Sequence, residues 1–397
     1  MGGAELLFIR LANELIHRCT HKISIVDYKD GFMAKRIKNT TVKHIKYKTN
    51  QQVHIPKNAI LIIPANLILT LNDKLILQPE TRILMWVLQP YNLLPVLPFG
   101  HSWQYSNWFL LKILFKTFLR KEAQTIRKII KTAHEKKSIL FMDGANFEVY
   151  SQLLGCRIKS EYYLPIISPT ADIGYPNWRT QKASTIRITW LGRIDKSFKF
   201  YSLCRVLEDI KKYASNIQQS ITVHVIGEGD GLVEIMHTYN ELVSFEITYH
   251  GTIDPTELDS FLINHTDILF AMGTSALEGA KLGIPTVCID AAYSRISNNY
   301  LYRWLHETRN YSLGYILHED FPTENTHSFS EIIDQLTKKS KELSFKAYSY
   351  YSKNHTTQHI VSRFLDYCKD VRLTYDDTLA FDFYSKSYLK KIWYYIR

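Results

Sequence analysis

In the second half of the chain, glycine, hydroxyl and cationic residues repeatedly follow short apolar runs. The fullest case is residues 267–290, DILFAMGTSALEGAKLGIPTVCID. Residues 267–272 have the length and composition of a strand buried on both faces. Gly273 then permits positive φ and close backbone approach, and Thr274 or Ser275 can cap a helix over roughly 275–282. Gly283 and Pro285 are its stop signals, and 286–289 is the next strand. A strand entering a Gly-Thr-Ser turn and a helix N-terminus presents unpaired N–H groups and the positive end of the helix dipole, which suits an anion. Phosphate would repel Glu278, one turn into the helix, so its partner in such a site is a hydroxyl pair such as a ribose. The plainer alternative makes Gly273 a turn residue and Glu278 a first-turn acid favoured by the dipole.

The run WLGRIDKSFK at 190–199 also puts cations just after a strand. Arg193 can bind phosphate oxygens bidentately, with Lys199 or Lys196 as a point charge. Together with the turn after Gly273 these cations can neutralise a diphosphate, which makes a nucleoside diphosphate a better leaving group. The alternative is a surface ion pair between Arg193 and Asp195. GEGDG at 227–231 resembles a phosphate-cradling loop but lacks the spacing of the dinucleotide or P-loop fingerprints. There is no GxxxxGK[ST] and no GxSxG. His355 and His359 have ligand-like spacing, but no glutamate follows the first as in a metalloprotease.

The elements that would hold these turns follow a regular order. Residues 185–191, 221–226 and 246–250 read as strands, each followed by a glycine-containing turn and then a helix, at 200–213, 232–242 and 255–262. That alternation describes a doubly wound sheet, in which ligands bind beyond the carboxyl ends of the strands. The first half alternates less cleanly. A helical pattern over 1–16 has Leu6, Leu7, Ile9, Leu11, Leu15 and Ile16 on its apolar face and follows Gly2-Gly3 with no strand ahead of it. Strands are expected at 23–27, 59–63, 83–88 and 139–141, a basic alternating stretch at 35–48, a helical region at 103–137 and a turn at 143–146. After Tyr293, helices are expected at 326–351 and 358–369.

A chain of 397 residues exceeds one ordinary core, and two domains are the natural expectation. The expected divisions are 1–170, a linker at 171–184, a second domain at 185–345, and helices at 346–397 packing back across the domains. A hydrophobic content of 46% and a charged content of 22% are those of a globular protein. The net charge of +11 implies an anionic partner without choosing among nucleic acid, anionic membrane and phosphorylated small molecules. Five scattered cysteines with no CxxC pair argue for a reduced, cytosolic chain and against a zinc or disulfide framework. No signal peptide is visible. Residues 83–111 hold no Lys, Arg, Asp or Glu, but Pro90, Pro95, Pro98 and Gly100 interrupt them, so no transmembrane helix is expected. Two segments mix aromatic and basic residues as a membrane-surface helix does, 103–137 and the tail SYLKKIWYYIR. For 103–137 the alternative is a core-facing helix with a solvated basic side.

WLGRIDKSFK, the HVIGEGD turn, YHGTID and MGTSALEGAKLGIPT occur in the order found in retaining glycosyltransferases of family four, and the chain resembles that family over residues 185–290. GGAELLFIRLANEL looks like its first loop and helix. The resemblance implies two Rossmann-like, doubly wound α/β domains facing across a cleft, the GT-B fold, here with the first strand of the N-terminal domain missing. It implies that Arg193 and Lys199 grip the donor diphosphate, that Gly273, Thr274 and Ser275 line the phosphate turn, and that Glu278 binds ribose. The backbone at Gly251, Thr252 and Ile253 would flank the base. It further implies a sugar nucleotide as donor substrate, with no metal and no resident cofactor. The family's first motif glutamate falls at Phe270 here, and Lys199 lies one residue further from Arg193 than is common. These departures leave the sugar contacts and catalytic residues unassigned.

The expected function is therefore transfer of a sugar from a nucleoside diphosphate to a lipid-linked or envelope glycan. The expected place is the cytoplasm, at the inner face of the cell membrane. A sugar-nucleotide epimerase of the same fold and a degenerate subunit that binds without turnover are the alternatives. Nucleic acid is not an expected partner, because no recognised module is present.

Overall fold

The computed structural model describes residues 3–18, 21–37, 41–49, 51–95, 97, 107–156, 162–171, 184–239, 245–317 and 325–381. These fall into two compact units. Residues up to 97, 107–167 and 357–381 form the first, and 168–356 the second. The expected linker at 171–184 lies almost wholly outside the described residues, as does the basic aromatic tail. The expected division at 345/346 falls inside a helix that runs from Phe329 to Asn354, and the chain changes unit after residue 356.

The first unit opens with α1 (Gly3–Arg18), β1 (Ser24–Tyr28), α2 (Phe32–Arg36), β2 (Lys43–Tyr47), β3 (Val53–His54) and β4 (Ile60–Pro64). It continues with α3 (Leu71–Lys74), β5 (Leu75–Ile76), β6 (Arg82–Val87), α4 (Trp108–Lys116), α5 (Arg120–Glu135), β7 (Ile139–Phe141) and α6 (Gly144–Leu154). Among the described residues the strands named here pair in parallel, in three ladders: β1 with β2, β3 with β5, and β4–β6–β7. Having a neighbour on each side, β6 is buried from Ile83 to Val87. By contrast β4, paired on one side only among the described residues, leaves Ile60, Leu61 and Ile62 half-buried. The amphipathic α1 buries Leu7, Ile9, Leu11 and Leu15, and its Phe8 meets Trp86 of β6 edge to face at 5.8 Å.

Two expectations for this unit need correcting. The helical region at 103–137 divides into α4 and α5, with the break at Thr117, whose backbone (φ −114°, ψ −92°) leaves the helical range while its hydroxyl donates to the Ile113 carbonyl (2.8 Å). Residues 103–106 lie outside the described set. The expected turn at 143–146 is the start of α6, because the Asp143 carboxylate accepts from the Asn146 N–H at 2.8 Å and caps it. The last helices, Thr357–Asp370 and Tyr375–Leu379, belong to this unit, where the Ile83 N–H donates to the Leu373 carbonyl (2.8 Å). Among the described residues no helix is long and apolar enough to cross a membrane.

The second unit follows the strand–turn–helix alternation closely. Its elements are β8 (Thr185–Leu191), α7 (Phe200–Ala214), β9 (Ser220–Ile226), α8 (Leu232–Tyr239), β10 (Glu246–Gly251) and α9 (Pro255–His265). Then come β11 (Ile268–Ala271), α10 (Thr274–Ala280), β12 (Thr286–Cys288), β13 (Arg303–Trp304) and α11 (Phe329–Asn354). One sheet holds all six strands in the order β10-β9-β8-β11-β12-β13, parallel except for β13. Both β11 and β12 are buried throughout, as strands covered on two faces must be. The core joins Trp190 and Ile188 of β8, Leu203, Val206 and Ile210 of α7, Phe270 of β11 and Ile332 and Leu336 of α11. Gly279 lets α10 lie close on the sheet, since a Cβ there would sit 2.4 Å from Leu269.

Candidate functional site

The strand order reverses between β8 and β11. From β8 the chain adds β9 and β10 on one side, and β11 and β12 lie on the other. This is a topological switch point, where open α/β sheets leave a crevice at the carboxyl ends of the strands. Leu191 of β8 pairs with Ala271 of β11, so the turns at Gly192 and Gly273 leave adjacent strand ends. The register alone thus brings together the two stretches that the sequence offered for phosphate.

The turn after β8 is held from several directions. The Gly192 N–H donates to the Ile226 carbonyl (3.0 Å) and the Ile194 N–H to the Glu228 carbonyl (2.9 Å). The Asp195 carbonyl accepts from the N–H groups of Phe198, Lys199 and Phe200 at 3.0, 3.1 and 3.1 Å, which winds the chain into α7. The Ala292 N–H beyond β12 donates to the Phe198 carbonyl (3.1 Å), and the Ser202 hydroxyl to the Asp290 carbonyl (2.7 Å). The Asp290 carboxylate is itself fully buried, accepting from Arg303 (2.7 and 3.1 Å), Tyr300 (3.0 Å), Asn325 (2.8 Å) and the Tyr315 N–H (2.8 Å). Such a charge is stable only when paired and fully hydrogen-bonded. Sequence reasoning missed this anchor, because its donors come from positions up to 35 residues away.

The three cations of this turn differ in their engagements. Exposed Lys196 bridges to Glu234 at 2.6 Å, which holds its amine above the usual range. Arg193, 71% exposed, pairs with Asp195 at 3.1 Å. Lys199 is half-buried, and its ammonium has no salt bridge or hydrogen bond among the described residues. Its ammonium lies 5.5 Å from the Phe198 ring centre, and 3.4 Å from where a Cβ on Gly192 would be. Burial, reinforced by Arg193, lowers its pKa to about 8. A desolvated ammonium in no direct salt bridge, beside an open glycine turn, attracts an anion. Of the two lysines offered by the sequence, geometry favours Lys199.

The GEGDG loop is a support for that turn. A Cβ on Gly227 (φ 138°) would lie 2.0 Å from the Gly192 carbonyl oxygen, and one on Gly229 (φ 158°) 2.4 Å from that of Ile194. These glycines are required by backbone packed on backbone. Asp230 accepts from the Lys196 N–H at 2.8 Å, fastening the two loops. The Gly227 N–H donates to the Gly251 carbonyl (2.7 Å), which draws in the turn after β10. Gly192 and Arg193 thereby meet Thr252 and Ile253 around one cavity of about 360 Å³. Leu191, Ile226 and Leu258 give it apolar walls, and Glu228, which the sequence reading passed over, lines it as well.

At the neighbouring strand end, α10 begins at Thr274 with Gly273 (φ 64°) as its cap and no side-chain cap bond, so neither Thr274 nor Ser275 plays that part. The Gly273 N–H is taken by the Leu313 carbonyl at 2.7 Å. Thr274 is exposed and Ser275 half-buried, and neither lines the cavity. One oxygen of Glu278 is held by Lys281 at 2.6 Å, and Lys281 also reaches Asp259 at 2.9 Å. Phe270, where the family's first glutamate would fall, is wholly buried and stacks on Phe329 with ring centres 5.8 Å apart. Among the described residues no group of three or more His, Cys, Asp or Glu is placed to hold a metal.

No family model matches the chain, and no curated protein does. Among solved structures it is similar to Anabaena HepE in complex with UDP, with 13% identity, 93% of this chain and 96% of that one covered, and a TM-score of 0.49. It is similar to WaaG, a glycosyltransferase involved in lipopolysaccharide biosynthesis, at 12% identity, 92% and 96% coverage and a TM-score of 0.46. A point mutant of S. aureus TarM, crystallised with UDP, matches at 14% identity over 60% of this chain and 45% of that one, with a TM-score of 0.38. Likeness at this level does not reach to activity.

Proposed function

We propose that the second unit binds a nucleoside-diphosphate sugar at the β8/β11 switch point, and that the protein is a glycosyltransferase passing the sugar to a lipid-linked or envelope glycan. The observation that carries this reading is Lys199, a desolvated ammonium in no direct salt bridge beside the Gly192 turn. Arg193 stands on the rim of the adjoining cavity, whose apolar walls suit a nucleobase. In this reading the two cations take up the charge of the departing diphosphate without a metal. Thr274 and Ser275 approach its oxygens, and the free oxygen of Glu278 accepts from the ribose. The resemblance of the motifs implies retention at the anomeric carbon.

The first unit offers a reason to place the acceptor at a membrane. Phe109 (71%), Leu110 (45%), Ile113 (41%) and Phe118 (67%) are exposed on or just after α4, among Lys112, Lys116, Arg120 and Lys121. Apolar side chains set among cations suit an anionic lipid surface, and the proposed position is peripheral, on the cytoplasmic face.

A second reading, binding without turnover, is favoured by Phe270 and by the Lys281 grip on Glu278. One experiment addresses both. Thermal unfolding is followed with nucleoside diphosphates, and donor hydrolysis with the matching sugar nucleotides, for wild type and Arg193→Ala. Ligand at a hundred times its dissociation constant should stabilise the wild type by about 2.7 kcal/mol, with a smaller effect in the variant. Stabilisation with released sugar supports the transferase, and the anomer observed by proton NMR tests retention. Stabilisation without turnover of any donor supports the second reading. No stabilisation by any nucleotide removes the donor site.

A further inference from the structure

Glu228 brings a carboxylate to a cavity proposed to receive an anionic ligand. Its backbone is fixed, since its carbonyl accepts from the Ile194 N–H at 2.9 Å and the preceding Gly227 is locked against Gly192. Its side chain extends toward the turn after β10. Oε1 comes within 3.2 Å of where a Cβ on Gly251 would be, so the absent side chain at Gly251 leaves the carboxylate its room. Among the described residues this carboxylate, which is exposed, makes no salt bridge and no hydrogen bond. The neighbouring acids differ, for Asp195 is paired with Arg193, Glu234 with Lys196, and Asp230 caps the Lys196 N–H. Glu228 is the acid of this loop cluster that the fold itself leaves unused.

An ionised carboxylate only accepts hydrogen bonds. Beside a diphosphate it is repelled, so a ligand that tolerates it must turn donors, N–H or O–H, toward it. Lying against Gly251, it adjoins the turn assigned to the base. The bases differ sharply in what they show to two carboxylate oxygens. Guanine presents two parallel donors, N1–H and N2–H. Uracil presents one N–H between two carbonyls that repel the acid. Adenine and cytosine each pair an amino group with a ring acceptor. Only guanine satisfies both oxygens at once.

We infer that Glu228 is a specificity-determining residue that selects a guanine nucleotide, so that the donor is a GDP-sugar. This assignment rests on the donor-site reading above. It is tested on the full chain by isothermal titration with GDP, IDP, UDP, ADP and CDP, for wild type and Glu228→Gln. IDP is the decisive probe, because it keeps N1–H and lacks the 2-amino group. The wild type should bind GDP most tightly and prefer it to IDP, and Glu228→Gln should weaken GDP about tenfold or more while leaving UDP no weaker. It should also lose the preference for GDP over IDP. Unfolding of Glu228→Gln at the wild-type temperature separates this effect from misfolding. Equal binding of GDP and UDP, or a GDP preference unchanged in Glu228→Gln, overturns the assignment while leaving the donor site standing. Failure of every nucleotide to bind overturns both.

Discussion

Lys199→Met should make the ligand-free protein more stable and the nucleotide-binding function worse. In the folded chain the Lys199 pKa is lowered from 10.5 to about 8, first by burial and then by Arg193. At neutral pH the charged amine therefore carries an electrostatic cost of roughly 3 kcal/mol, which solvent screening at a half-buried site reduces to about 1–2 kcal/mol. Methionine keeps the unbranched stem and removes the charge. For a unit of this size the gain corresponds to a rise in Tm of roughly 2–8 °C. The sign with pH follows from linkage. The folded state gives up this proton more readily than the unfolded state, so wild-type stability should climb as pH rises from about 8 toward 10.5. The variant should lack that climb. A bound diphosphate restores the charged amine, so wild-type nucleotide affinity should fall as pH passes 8. Scanning calorimetry at pH 7, 8, 9 and 10, with and without the preferred nucleoside diphosphate, reads all three effects. A Lys199→Met protein of unchanged or lower Tm that is still fully stabilised by nucleotide would refute the reasoning.

Two further outcomes test the other parts of the picture. Gly227→Ala puts a methyl group 2.0 Å from the Gly192 carbonyl oxygen at a φ of 138°, and should cost more than about 2 kcal/mol in urea unfolding, whereas an ordinary turn glycine would lose less than half of that. Phe109→Ser with Phe118→Ser should abolish co-sedimentation with anionic vesicles at low salt without lowering Tm, because both rings are already exposed. Vesicle binding by the double variant at the wild-type level would remove the membrane surface from α4.

The second unit was legible because its signals are local. Apolar runs of four to seven residues, each closed by a glycine, predict strands and turns without knowledge of what lies beside them. Long-range features were not legible in this way. The glycines of GEGDG look like a phosphate cradle in sequence, yet the backbone they accommodate belongs to Gly192 and Ile194, over thirty positions earlier. Lys196 and Lys199 are equivalent in a string of letters, and the burial of one and the position of Glu234 on α8 beside the other separate them. Likewise nothing near Asp290 announces the donors that surround it. In the first unit the alternation is weaker because several strands are half-covered, so pattern reading marks their existence better than their pairing. Asp143 shows the smallest version of the difficulty, since an Asp-Gly pair signals a turn until the N–H of Asn146 makes it a helix cap.

The turns after β8, β9 and β10 are bonded to one another across the sheet by Gly192 to Ile226, Ile194 to Glu228, Gly231 to Ile194 and Gly227 to Gly251. Their conformational entropy is therefore surrendered when the chain folds, before any ligand arrives. A ligand landing on this shelf meets turns that are already ordered and loses little affinity to ordering them. The same interlocking limits how the protein can change its preferences over evolutionary time. Insertions that lengthen one turn would break its neighbours, so new specificity has to come from exchanging the side chains that stand on the shelf.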